Sequence, residues 1–121
     1  MTIYLIFVCK YRKKLLSIQQ IANGVKVLSI RICEKHKVSI KYMEVDKDHI
    51  HYMIGTRPNI NLSDFVRTMK GYITYYIWKK YFAYLYKCFW EEKTFFANRY
   101  FICSVGNVNE KTLKEYIENQ G

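Results

Sequence analysis

Residues 38–56 read VSIKYMEVDKDHIHYMIGT. Two apolar-rich runs, Val38 to Val45 and His49 to Thr56, flank the polar triplet Asp46-Lys47-Asp48. Runs of this length around so short a polar break predict an antiparallel β-hairpin. Side chains alternate across a strand, so Ile50, Tyr52 and Ile54 share one face and His49 and His51 share the other. The first set predicts a buried face. The second predicts a face that a ligand can reach.

Upstream, Ile3 to Cys9 reads as a buried strand that runs into the basic cluster Lys10-Tyr11-Arg12-Lys13-Lys14. From Ser17 to Lys37, Ile18, Ile21, Val25, Leu28 and Ile32 recur at three- and four-residue steps, which predicts an amphipathic helix. Downstream, Arg57-Pro58-Asn59 breaks the chain, and Asn61 is placed to cap a helix with Asp64 three residues on. That helix has the apolar stripe Leu62, Phe65, Val66, Met69, Ile73, Tyr76 and Ile77, with Arg67, Lys70 and Thr74 opposite. Residues 82–98 read as an aromatic-rich connection. Tyr100 to Val105 reads as a fourth strand, Gly106-Asn107 as a break, and Asn109 to Gln120 as a last helix.

The order β-α-β-β-α-β predicts an α+β fold of the ferredoxin-like or RNA-recognition-motif kind. It is a four-stranded antiparallel sheet with helices on one face, plus a C-terminal helix. The first and third strands should be central, which puts the histidines mid-sheet. With 121 residues, one Pro, five Gly and no linker, the chain reads as one domain, 1–121, with a body over 1–105 and the last helix over 109–120.

Half of the residues are hydrophobic, so a core needs no disulfide or structural metal. Twenty Lys and Arg against ten Asp and Glu leave a formal charge of +10, which favours an anionic partner, nucleic acid first. Cys9, Cys33, Cys88 and Cys103 lack C-x-x-C spacing and read as reduced, mostly buried thiols. The run Ile3 to Cys9 is too short to span a membrane and lacks the flanks of a signal peptide. The expectation is a cytoplasmic protein, with neither a membrane nor a nucleotide cofactor as partner.

A His-x-His pair alone is a weak signal, since two half-exposed strand residues would look the same. Two imidazoles at i and i+2 can grip one ion if a third group closes the site. A histidine-triad hydrolase would need a third alternating His, but position 53 is Met53. The paired His-x-Thr or His-x-Ser repeats of two-histidine phosphoesterases are missing. On the last helix Leu113, Tyr116, Ile117 and Gln120 share one side. A plain docking helix explains the first three. Gln120 is awkward there, because a buried amide wants a partner, and a metal ion would be one.

The chain resembles the single-tyrosine, HUH-type transposases of the IS200/IS605 insertion sequences. The resemblance rests on Phe7-Val8-Cys9-Lys10-Tyr11-Arg12, Asp48-His49-Ile50-His51, Leu62-Ser63-Asp64-Phe65-Val66-Arg67 with Lys70-Gly71, Tyr100 to Val108, and Tyr116-Ile117-Glu118-Asn119-Gln120. Phe96 stands where such proteins often carry a second Trp. The resemblance implies Tyr116 as nucleophile, with His49, His51 and Gln120 as ligands of a divalent metal ion, Mg²⁺ or Mn²⁺. It also implies single-stranded DNA with hairpins at the element ends as substrate. A homodimer with active sites shared between subunits is implied too, as is a hinge at Ser104, Gly106 and Asn107 that lets the last helix move.

Lys10, Arg12, Lys13, Arg67 and Lys70 are the candidate phosphate contacts, with Lys79 and Lys80 beyond them. Tyr72, Tyr75 and Trp78 are candidates to stack on unpaired bases. The rival readings are a non-catalytic RNA-recognition-motif-like binding module, a replication-initiating nickase and a domesticated relative that processes repeated palindromes. The module lacks its aromatic RNP pattern, since His49-Ile50-His51-Tyr52 occupies the third strand.

Overall fold

The computed structural model describes residues 1–104. The strands are β1 (Thr2–Cys9), β2 (Ser39–Asp46), β3 (His49–Gly55) and β4 (Phe96–Ser104), and the helices are α1 (Gln19–Lys35), α2 (Leu62–Lys80) and α3 (Phe82–Phe89). The sheet order is β2-β3-β1-β4, with every neighbouring pair antiparallel. The two central strands are therefore the expected ones.

Alternation decides the layers. Ile3, Leu5, Phe7 and Cys9 of β1 and Ile50, Tyr52 and Ile54 of β3 are buried in one core with Ile21, Val25, Leu28 and Ile32 of α1 and Phe65, Val66, Met69, Ile73 and Ile77 of α2. Fully burying aliphatic or aromatic side chains like these stabilises a fold by roughly 1.5–3 kcal/mol each. The phenol of Tyr52 is wholly buried and is satisfied by Ser29, whose Oγ lies 2.6 Å away and donates to the Val25 carbonyl at 2.7 Å. The helix pair closes tightly at Gly24, where a Cβ would come within 3.0 Å of Ile77 Cδ1.

Asn61 caps α2 as expected, its Oδ1 accepting from the Asp64 amide at 3.1 Å. Among the described residues no helix is long and apolar enough to cross a membrane. Cys9 and Cys33 are buried, and burial first of all pushes both thiols up to about 12. Cys88 is half-buried and Cys103 is exposed.

Three local readings change. Residues 82–89 form α3 rather than irregular chain, with Leu85 and Phe89 buried against the body. Strand β4 starts at Phe96 rather than Tyr100, because a bulge separates the pairs Phe7↔Tyr100 and Cys9↔Phe96 and hides the alternation. On α2, Tyr76 is exposed and Trp78 takes a core place, its indole N–H donating to the Thr94 carbonyl at 2.7 Å. Trp78 therefore cannot offer its face to a base.

Where β3 ends against β2, a Cβ on Gly55 would lie 2.5 Å from Ser39 Oγ and 3.3 Å from Lys41 Cε. Gly55→Val is expected to cost about 1–3 kcal/mol through this overpacking. A lowered midpoint in urea unfolding with an unchanged slope would show it.

Candidate functional site

The face of the sheet opposite α1 and α2 carries the histidines. The register pairs Val8 with His49 and Ile6 with His51 on β1, and Asp46 with His49 and Glu44 with His51 on β2. Directly paired residues share a face, so two imidazoles and two carboxylates stand together there, with His49 and Asp46 beside the hairpin turn. The histidine rings lie 4.6 Å apart at 70°. His49 is half-buried, and His51 is only 4% exposed, more enclosed than an open-face position suggests.

Each ring has its Nδ1 engaged. His49 Nδ1 donates to Asp48 Oδ1 at 2.8 Å, and Asp48 accepts a second bond from Arg12 Nε on Oδ2 at 2.9 Å. His51 Nδ1 lies 3.1 Å from the Tyr4 hydroxyl, and the two rings stack at 6.2 Å. His49 Nε2 faces the Asp46 carboxylate at 3.8 Å, too far for a hydrogen bond, so both Nε2 atoms could serve a ligand, provided His51 Nδ1 carries the proton and donates to Tyr4. An outer partner that fixes tautomer and ring direction is the usual support of a metal-binding histidine.

Electrostatics fit the same use. Burial first, then the neighbouring His49, hold the His51 pKa below its usual value, partly opposed by Glu44 and Asp46. A ring that stays neutral keeps its lone pair for a metal. Burial tends to raise the Asp48 carboxyl, but the bonds from His49 and Arg12 and the Arg12 charge outweigh it and hold the group low. It stays ionised beside His49.

Sequence reasoning found the pair but missed its supports. Asp48 read as a turn residue and as the first residue of the His-x-His motif, with no role of its own, and Tyr4 comes beside His51 only through the β1–β3 register. Among the described residues no cluster of three His, Cys, Asp or Glu assembles as a metal site. An ion held by the two histidines would need its third ligand from another residue type or from outside this set. Tyr116, Gln120, Gly106 and Asn107 lie outside the described residues, as do the last helix and the body boundary at 105. Ser104 ends β4, exposed and paired with Ile3.

The basic candidates fall into different settings. Lys10, Arg12 and Lys13 stand on the turn after β1, where Tyr11 and Arg12 take φ of 57° and 53°. Arg12 remains 78% exposed despite its bond to Asp48. Arg67 is exposed, 3.6 Å from Asp64, a pairing worth little at the surface. Lys70 is half-buried, and its ammonium donates to the carbonyls of Ala97 at 2.6 Å and Asn98 at 3.3 Å in the β4 bulge. Burial, and then the charge of Lys10, lower its pKa. Tyr75 is 61% exposed, and Tyr72 is half-buried against Tyr76.

Residues 1–120 match the family described as "Transposase IS200 like". The ISDra2 transposase TnpA of Deinococcus radiodurans is 32% identical over 68 residues, 56% of this chain and 48% of that protein, so the match spans about half of that relative's length. The transposase for insertion sequence element IS200 of Salmonella typhimurium is 24% identical over 117 residues, 97% of this chain and 74% of that protein. Among solved structures, a Deinococcus radiodurans protein assigned as a transposase is similar at a TM-score of 0.79 and 25% identity, covering 99% of this chain and 90% of that one. A REP-associated tyrosine transposase bound to a REP hairpin is similar at a TM-score of 0.64. Its 14% identity, over 97% of this chain and 62% of that one, speaks to the fold alone.

Proposed function

This chain belongs to the IS200-like transposases, DNA-processing enzymes, and on that premise we propose that it cleaves and rejoins single-stranded DNA through a covalent tyrosine intermediate. The observation that carries the reading is the histidine pair, with both Nδ1 atoms held by outer partners and His49 Nε2 facing a carboxylate only at 3.8 Å. A packing role explains neither the carboxylate behind His49 nor the phenol behind His51.

The proposed nucleophile is Tyr116. Its phenolic oxygen attacks a backbone phosphorus, the bond to the 3′ oxygen breaks, and the phenol proton passes, directly or through solvent, to the departing 3′ oxygen. The products are a 5′-phosphotyrosine and a free 3′-OH. One phosphodiester bond is exchanged for another, so a 3′-OH of a second strand can reverse the step without ATP. His49, His51 and the Gln120 carbonyl would hold a Mg²⁺ or Mn²⁺ ion, which when bound neutralises the non-bridging phosphate oxygens. Lys10, Lys13 and Arg67 would contact flanking phosphates. Arg12 combines such a contact with its hold on Asp48, and Lys70 has two of its three ammonium donors spent on β4.

The reading includes a homodimer whose last helices complete the sites across subunits, with hinge residues Ser104, Gly106 and Asn107, and hairpins at the element ends as the bound DNA. It is tested by mixing protein, Mn²⁺ and single-stranded oligonucleotides from its own genomic flanks, then resolving the products on a denaturing gel. A protein–DNA adduct is expected. Binding without any adduct would favour the non-catalytic module instead.

Asp48 provides a sharper check on the site. Asp48→Ala removes the group that orients His49, and is expected to weaken Mn²⁺ binding by roughly 10- to 100-fold. Titration of protein into Mn²⁺, followed by electron paramagnetic resonance, measures it. Unchanged affinity would mean that Asp48 does not orient a metal-binding His49.

A further inference from the structure

Helix α3 has two unlike faces. Leu85 and Phe89 are buried, whereas Phe82, Tyr86 and Trp90 follow at four-residue steps and are 52%, 41% and 74% exposed. That spacing puts Phe82 and Tyr86 on one side of α3, and Trp90, at the C-cap, extends the row beyond the last turn beside Tyr86. The rings of Phe82 and Tyr86 lie 5.7 Å apart and 26° from parallel. Tyr86, Lys87 and Trp90 line a shallow cleft at one end of the row. At the other end Phe82 borders a cleft of about 560 Å³ walled by Tyr75, Lys70, Lys79 and Lys93, with no carboxylate among its lining residues.

Folding alone does not explain this row. Exposed aromatic rings gain little from it. Trp90 moreover adopts φ 57° and ψ −125°, a conformation that suits glycine and strains a residue with a bulky side chain. A strained backbone holding an indole in water points to a use for the indole. The surroundings also tie the row to the histidines. Tyr11 donates to the Glu92 carboxylate at 2.9 Å, joining the turn after β1 to the end of α3. The next residue of that turn, Arg12, holds the Asp48 that orients His49.

We propose that Phe82, Tyr86 and Trp90 form a stacking platform for unpaired bases of single-stranded DNA, with Lys79, Lys87 and Lys93 on its phosphates. The inference rests on the single-strand reading above and extends it to a second surface. Rings interleaved with lysines are the arrangement such strands require, since every base has a face to stack and every linkage a charge to neutralise. Glu91 and Glu92 are the acids beside the row, and Glu92 is already occupied by Tyr11.

The two tryptophans allow a clean test, because Trp78 is 5% exposed and Trp90 is the one in water. The full chain, in EDTA, is titrated with a homothymidine strand of about ten nucleotides and with an abasic strand of equal length and charge. Tryptophan emission should be quenched by the first strand and scarcely by the second. Trp90→Ala should abolish the quench and weaken binding roughly five- to a hundredfold, and Phe82→Ala and Tyr86→Ala should weaken it too. Trp90→Gly should weaken binding equally while raising Tm by about 2 °C or more, since glycine relieves the strained φ.

Unchanged affinity in the Trp90 variants, or equal quenching by the abasic strand, would overturn the proposal. So would a change in the sedimenting mass of protein alone in Trp90→Ala, which would make the row an interface between copies. If the wild type forms the covalent adduct while these variants bind normally, only the platform falls. If Trp90 is quenched by bases but no adduct ever forms, the platform stands and the cleavage reading falls.

Discussion

Tyr116→Phe is expected to abolish the covalent protein–DNA adduct while single-strand binding stays within about twofold of wild type. The substitution deletes one oxygen. Phenylalanine keeps the aromatic ring and has a similar helix propensity, so binding that does not use the hydroxyl should persist. What disappears is the atom that would bond to phosphorus. Removing a nucleophile of this kind lowers the rate on the order of a thousandfold or more, which corresponds to about 4 kcal/mol of barrier. Adduct on a denaturing gel and binding by fluorescence anisotropy read the two properties separately. An adduct that survives the substitution would place the nucleophile elsewhere. Loss of binding together with the adduct would mean that the phenol holds DNA rather than reacts with it.

The fold was legible because its periods change cleanly. The short apolar run Ile3 to Cys9 and the alternation of His49 to Ile54 give way to three- and four-residue steps in α1 and α2, and the structure follows these switches. Helix α3 was hidden because its outer row is aromatic like its inner seam. With Phe82, Tyr86 and Trp90 outside and Leu85 and Phe89 inside, no polar contrast marks a period. Strand β4 was shortened in the reading because its bulge interrupts the alternation, and Lys70 is drawn in to the bulge carbonyls. Tyr76 and Trp78 exchanged their expected places for a similar reason, since both rings suit either environment and only Trp78 finds a carbonyl, that of Thr94, for its N–H.

Of the candidate site, the part carried by local spacing was legible. His49 and His51 had to share a face once β3 was recognised. Their partners depend on register and on tertiary approach, which spacing does not encode. Tyr4 reaches His51 across 47 residues of chain, and Arg12 reaches Asp48 across 36. A short carboxylate beside a histidine on a hairpin turn is the one local signal that could have marked Asp48 as more than a turn residue. Tyr116 and Gln120 rest on family resemblance and helical spacing, outside the described residues.

The histidines themselves should separate when each is replaced by alanine, and the pattern distinguishes a metal pair from a packed one. Both His49→Ala and His51→Ala delete a ligand, so each is expected to weaken Mn²⁺ binding by at least about 100-fold, more than loss of an outer partner costs. Cleavage should fall with it. Stability should not respond alike. His49 is half-buried, and its loss leaves Asp48 still paired with Arg12, so the Tm should move little. His51 is 4% exposed, stacks on Tyr4 and bonds to it, so its removal opens a hole and breaks a buried hydrogen bond, at a cost of about 1–3 kcal/mol. Calorimetry without metal and Mn²⁺ titration on the same preparations give both numbers. Equal loss of metal affinity with unequal loss of stability is the signature of two ligands in different surroundings. If His51→Ala destabilises the protein yet still binds Mn²⁺ as wild type does, His51 is a core residue, and one imidazole alone cannot make this centre.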